Sequence, residues 1–203
     1  GFYTSIELSY VLAFLLFSLV TGCVYVLNDV LDRDKDGLHP VKRNRPIASG
    51  RLAARPALVL AALLLAAVLL GIARFDRGFF LITLFYAGLN ILYSLFLKRV
   101  VIIDIMVIAL GFVLRVMIGG ALNDVPLSPW ILISTFLLAI FLALIKRRQE
   151  LHKIQELHPE AVTRHTLESY NAGMLDQMIS VATATTLISY IMYVLSPDVQ
   201  QKF

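Results

Sequence analysis

Six apolar stretches, near residues 6–27, 54–73, 79–97, 100–121, 129–145 and 175–195, leave this 203-residue chain few folds to choose from. Each is close to the ~20 residues that a helix needs to cross a hydrocarbon core of about 30 Å. In lipid a segment must satisfy its own backbone hydrogen bonds, so only helices and closed barrels span a membrane. Barrel strands would alternate apolar and polar residues, and these runs do not. The expected fold is therefore all-α, a polytopic transmembrane helix bundle forming one domain over 1–203. With 59% hydrophobic residues and a mean hydropathy of +0.79, an ordinary soluble domain is excluded. Cys23, the single cysteine, lies inside the first run and reads as packing.

Charge orients the spans. Fourteen of the eighteen Lys and Arg residues follow the first, third and fifth spans, within 33–55, 98–99 and 146–164. Opposite them lie only Arg74, Arg77 and Lys202, with Arg115 inside a span. The positive-inside rule places the 28–55 and 146–174 connections on the cytoplasmic side; the expected location is the plasma (inner) membrane. The N-terminus is then outside with no helix to carry it there, and the chain starts at Gly1. A further span before it is expected, with residues missing at both ends.

The connection after the first span carries the densest chemistry. Residues 28–46 hold four carboxylates and five basic side chains. If the helix continues past its apolar run, Asp29, Asp32 and Asp36 follow at spacings of three and four, on one face with Asn28 beside them, while Asp34 points elsewhere. Carboxylates crowded at a helix C-terminus repel each other and the partial negative charge there. A divalent cation with hard oxygen ligands, above all Mg²⁺, compensates them most economically. An EF-hand reading fails, because Arg43 stands where a bidentate Glu is needed. The plainer alternative is a solvated loop of mixed charge. Gly37 reads as the helix C′ residue, with His39-Pro40 as the stop. Lys42, Arg43 and Arg45 follow; together with a metal they would grip a phosphate or diphosphate from two sides. Singly, each also serves as a topology determinant.

Three further groups stand at the same membrane face. The third span ends in Tyr93 and Lys98. Asp104 lies just inside the fourth, where an ionisable group is costly and points to a partner or a site. Arg115, eleven residues on, lies near the same face; the pair lines a cavity or ties helices together. The fifth span ends in Lys146-Arg147-Arg148-Gln149-Glu150. Lys146 and Glu150 share a helical face, as a phosphate-binding cation and its orienting carboxylate or as a snorkelling basic end. His152, His158 and His165 lack metal-ligand spacing, and no nucleic-acid module or nucleophilic triad appears.

Asn28-Asp29-x-x-Asp32-x-x-x-Asp36 at a cytoplasmic helix end resembles the first signature of the UbiA superfamily of intramembrane prenyltransferases. The resemblance continues through His39-Pro40-x-Lys42-Arg43-x-Arg45-Pro46-Ile47-Ala48-x-Gly50, Tyr93-Ser94-x-x-Leu97-Lys98, Asp104, Arg115-x-x-x-Gly119-Gly120, Lys146-Arg147-x-x-Glu150-Leu151 and Leu167-Glu168-Ser169-Tyr170. It is nearest to the phosphoribosyltransferase branch of that superfamily. It implies a bundle of nine helices, six of them visible here, and an Mg²⁺-dependent enzyme. The implied reaction transfers 5-phosphoribose from 5-phosphoribosyl 1-diphosphate to a polyprenyl (decaprenyl) phosphate, releasing diphosphate, for bacterial cell-wall arabinan precursors. On this resemblance Asn28, Asp29, Asp32 and Asp36 hold Mg²⁺ and carry catalysis. Lys42, Arg43 and Arg45 bind phosphates of the donor. Lys98, Lys146 and Arg147 place the acceptor phosphate, oriented by Tyr93, Asp104, Arg115 and Glu150. The second Asp-x-x-x-Asp motif of aromatic prenyltransferases does not occur in the sequence; Lys146-Arg147-Arg148-Gln149-Glu150 takes its place. An aromatic prenyltransferase using a prenyl diphosphate is the alternative enzyme. A non-enzymatic lipid or ion transporter ranks third, since a route across the membrane needs charges at both faces. The expected partners are the two substrates and the bilayer, without nucleic acid; homo-oligomerisation is left open.

Overall fold

The computed structural model describes residues 2–39, 41–123, 125–157 and 170–200. Among them there is no strand. In chain order come α1 (Phe2–Leu31), α2 (Arg33–Leu38), a 3-10 turn (Lys42–Asn44), α3 (Ala54–Ile72), α4 (Arg77–Leu95), a second 3-10 turn (Leu97–Arg99), α5 (Ile103–Leu122), α6 (Pro129–Leu157), α7 (Ala172–Val194) and α8 (Pro197–Gln200). Six of these helices are long and apolar enough to cross a membrane, at the six expected places. Large apolar side chains such as Phe14, Leu60 and Leu70 are 68%, 67% and 72% exposed. An exterior of this kind suits lipid as the solvent, and the chain is an integral, multi-pass membrane protein.

Two compact units divide the chain, residues 1–95 with 121–124, and residues 96–120 with 125–203. In the first, α1 packs against α3 and α4. Lipid gives little hydrophobic drive for helices to associate, so close approach at small residues takes its place. Ala13 and Val20 of α1 and Ala57 and Ala61 of α3 are buried accordingly. On α4, Phe79, Tyr86 and Ala87 are buried, and the Phe17 and Tyr86 rings lie 5.1 Å apart. Asp76 caps α4, its Oδ1 accepting from Phe79 N at 3.0 Å.

In the second unit α6 and α7 run antiparallel. Ser134 Oγ, near the start of α6, donates to Ser189 Oγ near the end of α7 at 3.1 Å. At the other end Arg148 donates to both carboxylate oxygens of Asp176, at 2.8 and 3.4 Å. Between them Leu144, Leu175 and Ala182 close a core that also takes Ile105 of α5 and Tyr170. Asn171 caps α7, its Oδ1 accepting from Met174 N at 2.6 Å. The helix of α6 outruns its apolar segment by three turns, through Leu157, because Lys, Arg, Gln, Glu and Leu are good helix formers wherever hydropathy falls.

Candidate active site

The acidic stripe forms because α1 does not stop where its apolar run ends. Asp32 N donates to Asn28 O at 2.9 Å and Asp36 N to Asp32 O at 2.8 Å, so the helical ladder continues across the junction into α2. Asp32 itself, at φ −96° and ψ 2°, occupies the sparsely populated bridge region in which many active-site residues sit. Asp32 and Asp36 are buried, Asn28 and Asp29 half-buried, and Asp34 exposed. Gly37 is not a left-handed C′ residue: it lies inside α2, and Gly50 is the one glycine with positive φ among the described residues. The stop comes from His39, extended at φ −85° and ψ 133°, as a residue before proline is driven to be.

The chain then folds back over the stripe. Val41 N and Lys42 N both donate to His39 Nδ1, at 3.2 and 3.3 Å, opening the first 3-10 turn. Arg45 N closes that turn on Lys42 O at 2.9 Å. Gly50, at φ +75°, turns the chain toward α3 in a conformation glycine takes without strain. The result is that Arg45 Nη1 donates to Asp29 Oδ1 and to Asp36 Oδ2, both at 2.8 Å. Lys42 is half-buried and Arg43 exposed in the turn just before it. Tyr93 is half-buried in the last turn of α4.

The positive charge that the carboxylates demand is thus supplied here by Arg45. This contact also tests whether they suit a divalent cation. Oxygens of Asp29 and Asp36, seven residues apart, already converge on one cationic nitrogen, with Asp32 between them on the chain. Such hard donors suit Mg²⁺. With Arg45 inserted, no three acidic or imidazole side chains among the described residues stand close enough to hold a metal together. Arg45 would have to withdraw for one to enter.

The second unit holds its own polar centre. Asp104, fully buried in the first turn of α5, accepts from Arg147 Nε at 3.2 Å and Nη2 at 2.9 Å. Arg147, itself 5% exposed, also donates through Nη1 to Glu150 Oε2 at 3.1 Å. The sequence spacing offers Lys146 as companion to Glu150, but Arg147 takes that carboxylate at three residues, and Lys146 is exposed. Nor is Arg115 the cation that reaches Asp104. Eleven residues of helix put about 16 Å between them, and the Arg115 guanidinium lies 4.9 Å from the centroid of the Phe112 ring. Lys98 is buried in the second 3-10 turn.

Two members of this centre carry no role in the sequence reading. Tyr170 Oη donates to Asp104 Oδ1 at 3.1 Å and accepts from Ile102 N at 2.8 Å. Burial, helped by the Asp104 charge, pushes its phenol up from 10 to about 12. Ile102 has φ +71°, the one non-glycine residue with positive φ among those described. Tyr170 appears in the sequence only as the end of a motif, and nothing in the sequence marks Ile102. His158, His165 and residues 163–169 lie outside the described residues.

Comparison with known proteins adds to this geometry. Decaprenyl-phosphate phosphoribosyltransferase of Mycolicibacterium smegmatis is 30% identical over 196 residues, 97% of this chain and 61% of that protein. The enzyme of that name from Corynebacterium glutamicum is 31% identical over 184 residues, 90% of this chain and 55% of its own. The chain thus spans about 61% and 55% of the length of these relatives. A solved UbiA homolog from Archaeoglobus fulgidus, bound to DMAPP and Mg²⁺, superposes with a TM-score of 0.79 at 20% identity, over 95% of this chain and 69% of that one. At that identity the likeness speaks for the fold, a UbiA-type helix bundle. The sequence profile of the UbiA prenyltransferase family matches residues 3–198, nearly the whole length, and the chain belongs to that family.

Proposed function

We propose that the protein to which this chain belongs transfers 5-phosphoribose from 5-phosphoribosyl 1-diphosphate to a polyprenyl phosphate. The observation that carries this reading is the 30% identity to the M. smegmatis phosphoribosyltransferase along 97% of the chain. An oxygen of the acceptor phosphate attacks C1 of the ribose, the bond from C1 to the diphosphate oxygen breaks, and diphosphate leaves. The acceptor is already anionic and nucleophilic, so neither a general base nor a covalent protein intermediate is required.

Asn28, Asp29, Asp32 and Asp36 are the residues that would hold Mg²⁺, which when bound neutralises charge developing on the leaving diphosphate. Lys42 and Arg43 hold phosphate groups of the donor, and Arg45 joins them when it leaves its two carboxylates. Lys98 and Lys146 meet the acceptor phosphate. Arg147, spanned by Asp104 and Glu150, positions the end of α6 and orients its neighbours. The polyprenyl tail lies among apolar helix surfaces. The distribution of Lys and Arg supports a site on the cytoplasmic side of the membrane.

The test uses the full-length protein in liposomes with Mg²⁺. Labelled phosphoribosyl diphosphate with decaprenyl phosphate should give a labelled lipid, and chelator should abolish it. Asp29→Ala and Asp32→Ala should each cut turnover by at least a hundredfold while the protein still folds; near-normal turnover would remove the metal assignment. A second reading, prenyl transfer to an aromatic acid, is favoured by a 32% identity over 113 residues to a 4-hydroxybenzoate octaprenyltransferase of Haemophilus ducreyi. A prenyl diphosphate with 4-hydroxybenzoate tests it in parallel, and a prenylated aromatic in place of the phosphoribosyl lipid would establish it. Silence in both assays would favour a transporter.

A further inference from the structure

Ile102 stands in a conformation that its side chain disfavours. At φ +71° a β-branched residue crowds its own backbone, and such strain persists only where neighbouring contacts hold it. On the C-terminal side the Ile102 carbonyl accepts from Ile105 N at 3.1 Å and Met106 N at 3.0 Å, opening α5. On the other side its N–H goes to a side chain, the Tyr170 hydroxyl, at 2.8 Å. That hydroxyl has one proton, and it is given to Asp104 Oδ1 at 3.1 Å. Asp104 accepts again from Arg147. The polarity of the chain is therefore fixed from end to end, with a carboxylate as its common acceptor and a hydroxyl lone pair left for Ile102.

Four residues before Ile102 is Lys98, in a 3-10 turn closed by Arg99 N on Phe96 O and Val100 N on Leu97 O, both at 3.1 Å. The residue is 8% exposed, an uncommon setting for a lysine. The turn leads directly into the strained residue, so its direction depends on whether Ile102 stays left-handed. We propose that Tyr170 is a positioning residue for the transferase site: its hydroxyl latches Ile102 in the left-handed conformation and thereby holds the 97–102 turn so that Lys98 meets a phosphate group of a substrate or of diphosphate. The role of Lys98 rests on the function proposed above; the latch itself rests on the contacts just described.

Three variants of the full-length protein test it: Tyr170→Phe, Ile102→Gly, and the two combined. Removing the hydroxyl leaves strained Ile102 without its acceptor, so Tyr170→Phe should raise KM for polyprenyl phosphate, whose phosphate Lys98 meets, or the concentration of inorganic diphosphate that inhibits, by about tenfold, with a smaller effect on kcat. Glycine adopts φ +71° without strain, so adding Ile102→Gly to Tyr170→Phe should recover most of that loss. Heat unfolding is followed in the same samples, with and without inorganic diphosphate. A Tyr170→Phe protein that unfolds earlier but keeps wild-type KM and wild-type protection by diphosphate would reduce Tyr170 to a purely structural contact and overturn the proposal. So would a double variant no better than the single one. If the wild type turns over no phosphoribosyl diphosphate, the proposed reaction fails. Loss of diphosphate protection in Tyr170→Phe and its return in the double variant would then still support the latch.

Discussion

Arg45 lies among the carboxylates of the acidic stripe. With Nη1 at 2.8 Å from both Asp29 and Asp36, a divalent cation held by these two carboxylates would first have to displace a guanidinium. Arg45→Gln removes that competitor, so Mn²⁺ binding without substrate, followed by its paramagnetic resonance, should tighten about tenfold. Unchanged or weaker binding would mean that the guanidinium does not compete. Tyr170 supplies a second test. Its phenol is pushed up to about 12 from 10, so the neutral form is the one the fold prefers. The stability it contributes is complete below pH 10 and is lost as pH rises through 12. A difference titration of phenolate absorbance between wild type and Tyr170→Phe should show one tyrosine ionising about two pH units late; a normal titration would refute the direction. The stripe was legible in the sequence because helix spacing alone aligns Asp29, Asp32 and Asp36. The arrival of Arg45, the hydroxyl of Tyr170 and the backbone of Ile102 were not, since each depends on contacts between residues from nine to 68 positions apart. Gly37 misled because the proline three positions on sets the stop, and no left-handed cap is needed.

At the scale of elements, hydropathy located all six spanning helices; it missed their polar continuations and ran the third and fourth spans into the turn between Leu95 and Ile103. The interval 129–145 is apolar, whereas α6 runs to Leu157. At Gly120 packing leaves no room for a side chain. A Cβ on Gly120 would lie 2.7 Å from both Cγ and Cδ1 of Leu127, at the place where Val125 N returns to Gly120 O at 3.0 Å. Gly120→Ala should therefore destabilise the protein by about 1–2 kcal/mol, the overpacking term outweighing any gain in helix propensity. Gly119, whose Cβ would meet nothing within 4 Å, is the matched control for heat unfolding. Equal effects at the two positions would remove the packing argument.

At the scale of the whole molecule, the imbalance of Lys and Arg between alternate connections makes a prediction about sidedness. Cys23 is the only cysteine of these 203 residues and it is buried, so, with any cysteine elsewhere in the full-length protein replaced, an added cysteine reports with little background. In intact cells a membrane-impermeant maleimide should label Arg74→Cys and spare Arg43→Cys until the cells are opened. The reverse pattern would invert the topology and move the proposed site to the other face.

The paired α6 and α7 carry one more consequence. In lipid, sliding one apolar helix along another exchanges one greasy contact for the next, so side-chain packing alone separates neighbouring alignments by little. The hydroxyl pair Ser134–Ser189 at one end and the ion pair Arg148–Asp176 at the other break that degeneracy. A slip of a single turn, about 5.4 Å, would part both at once. These four side chains therefore act as alignment marks: they let a helix pair already inserted in the bilayer find one setting among several that its apolar surface separates only weakly.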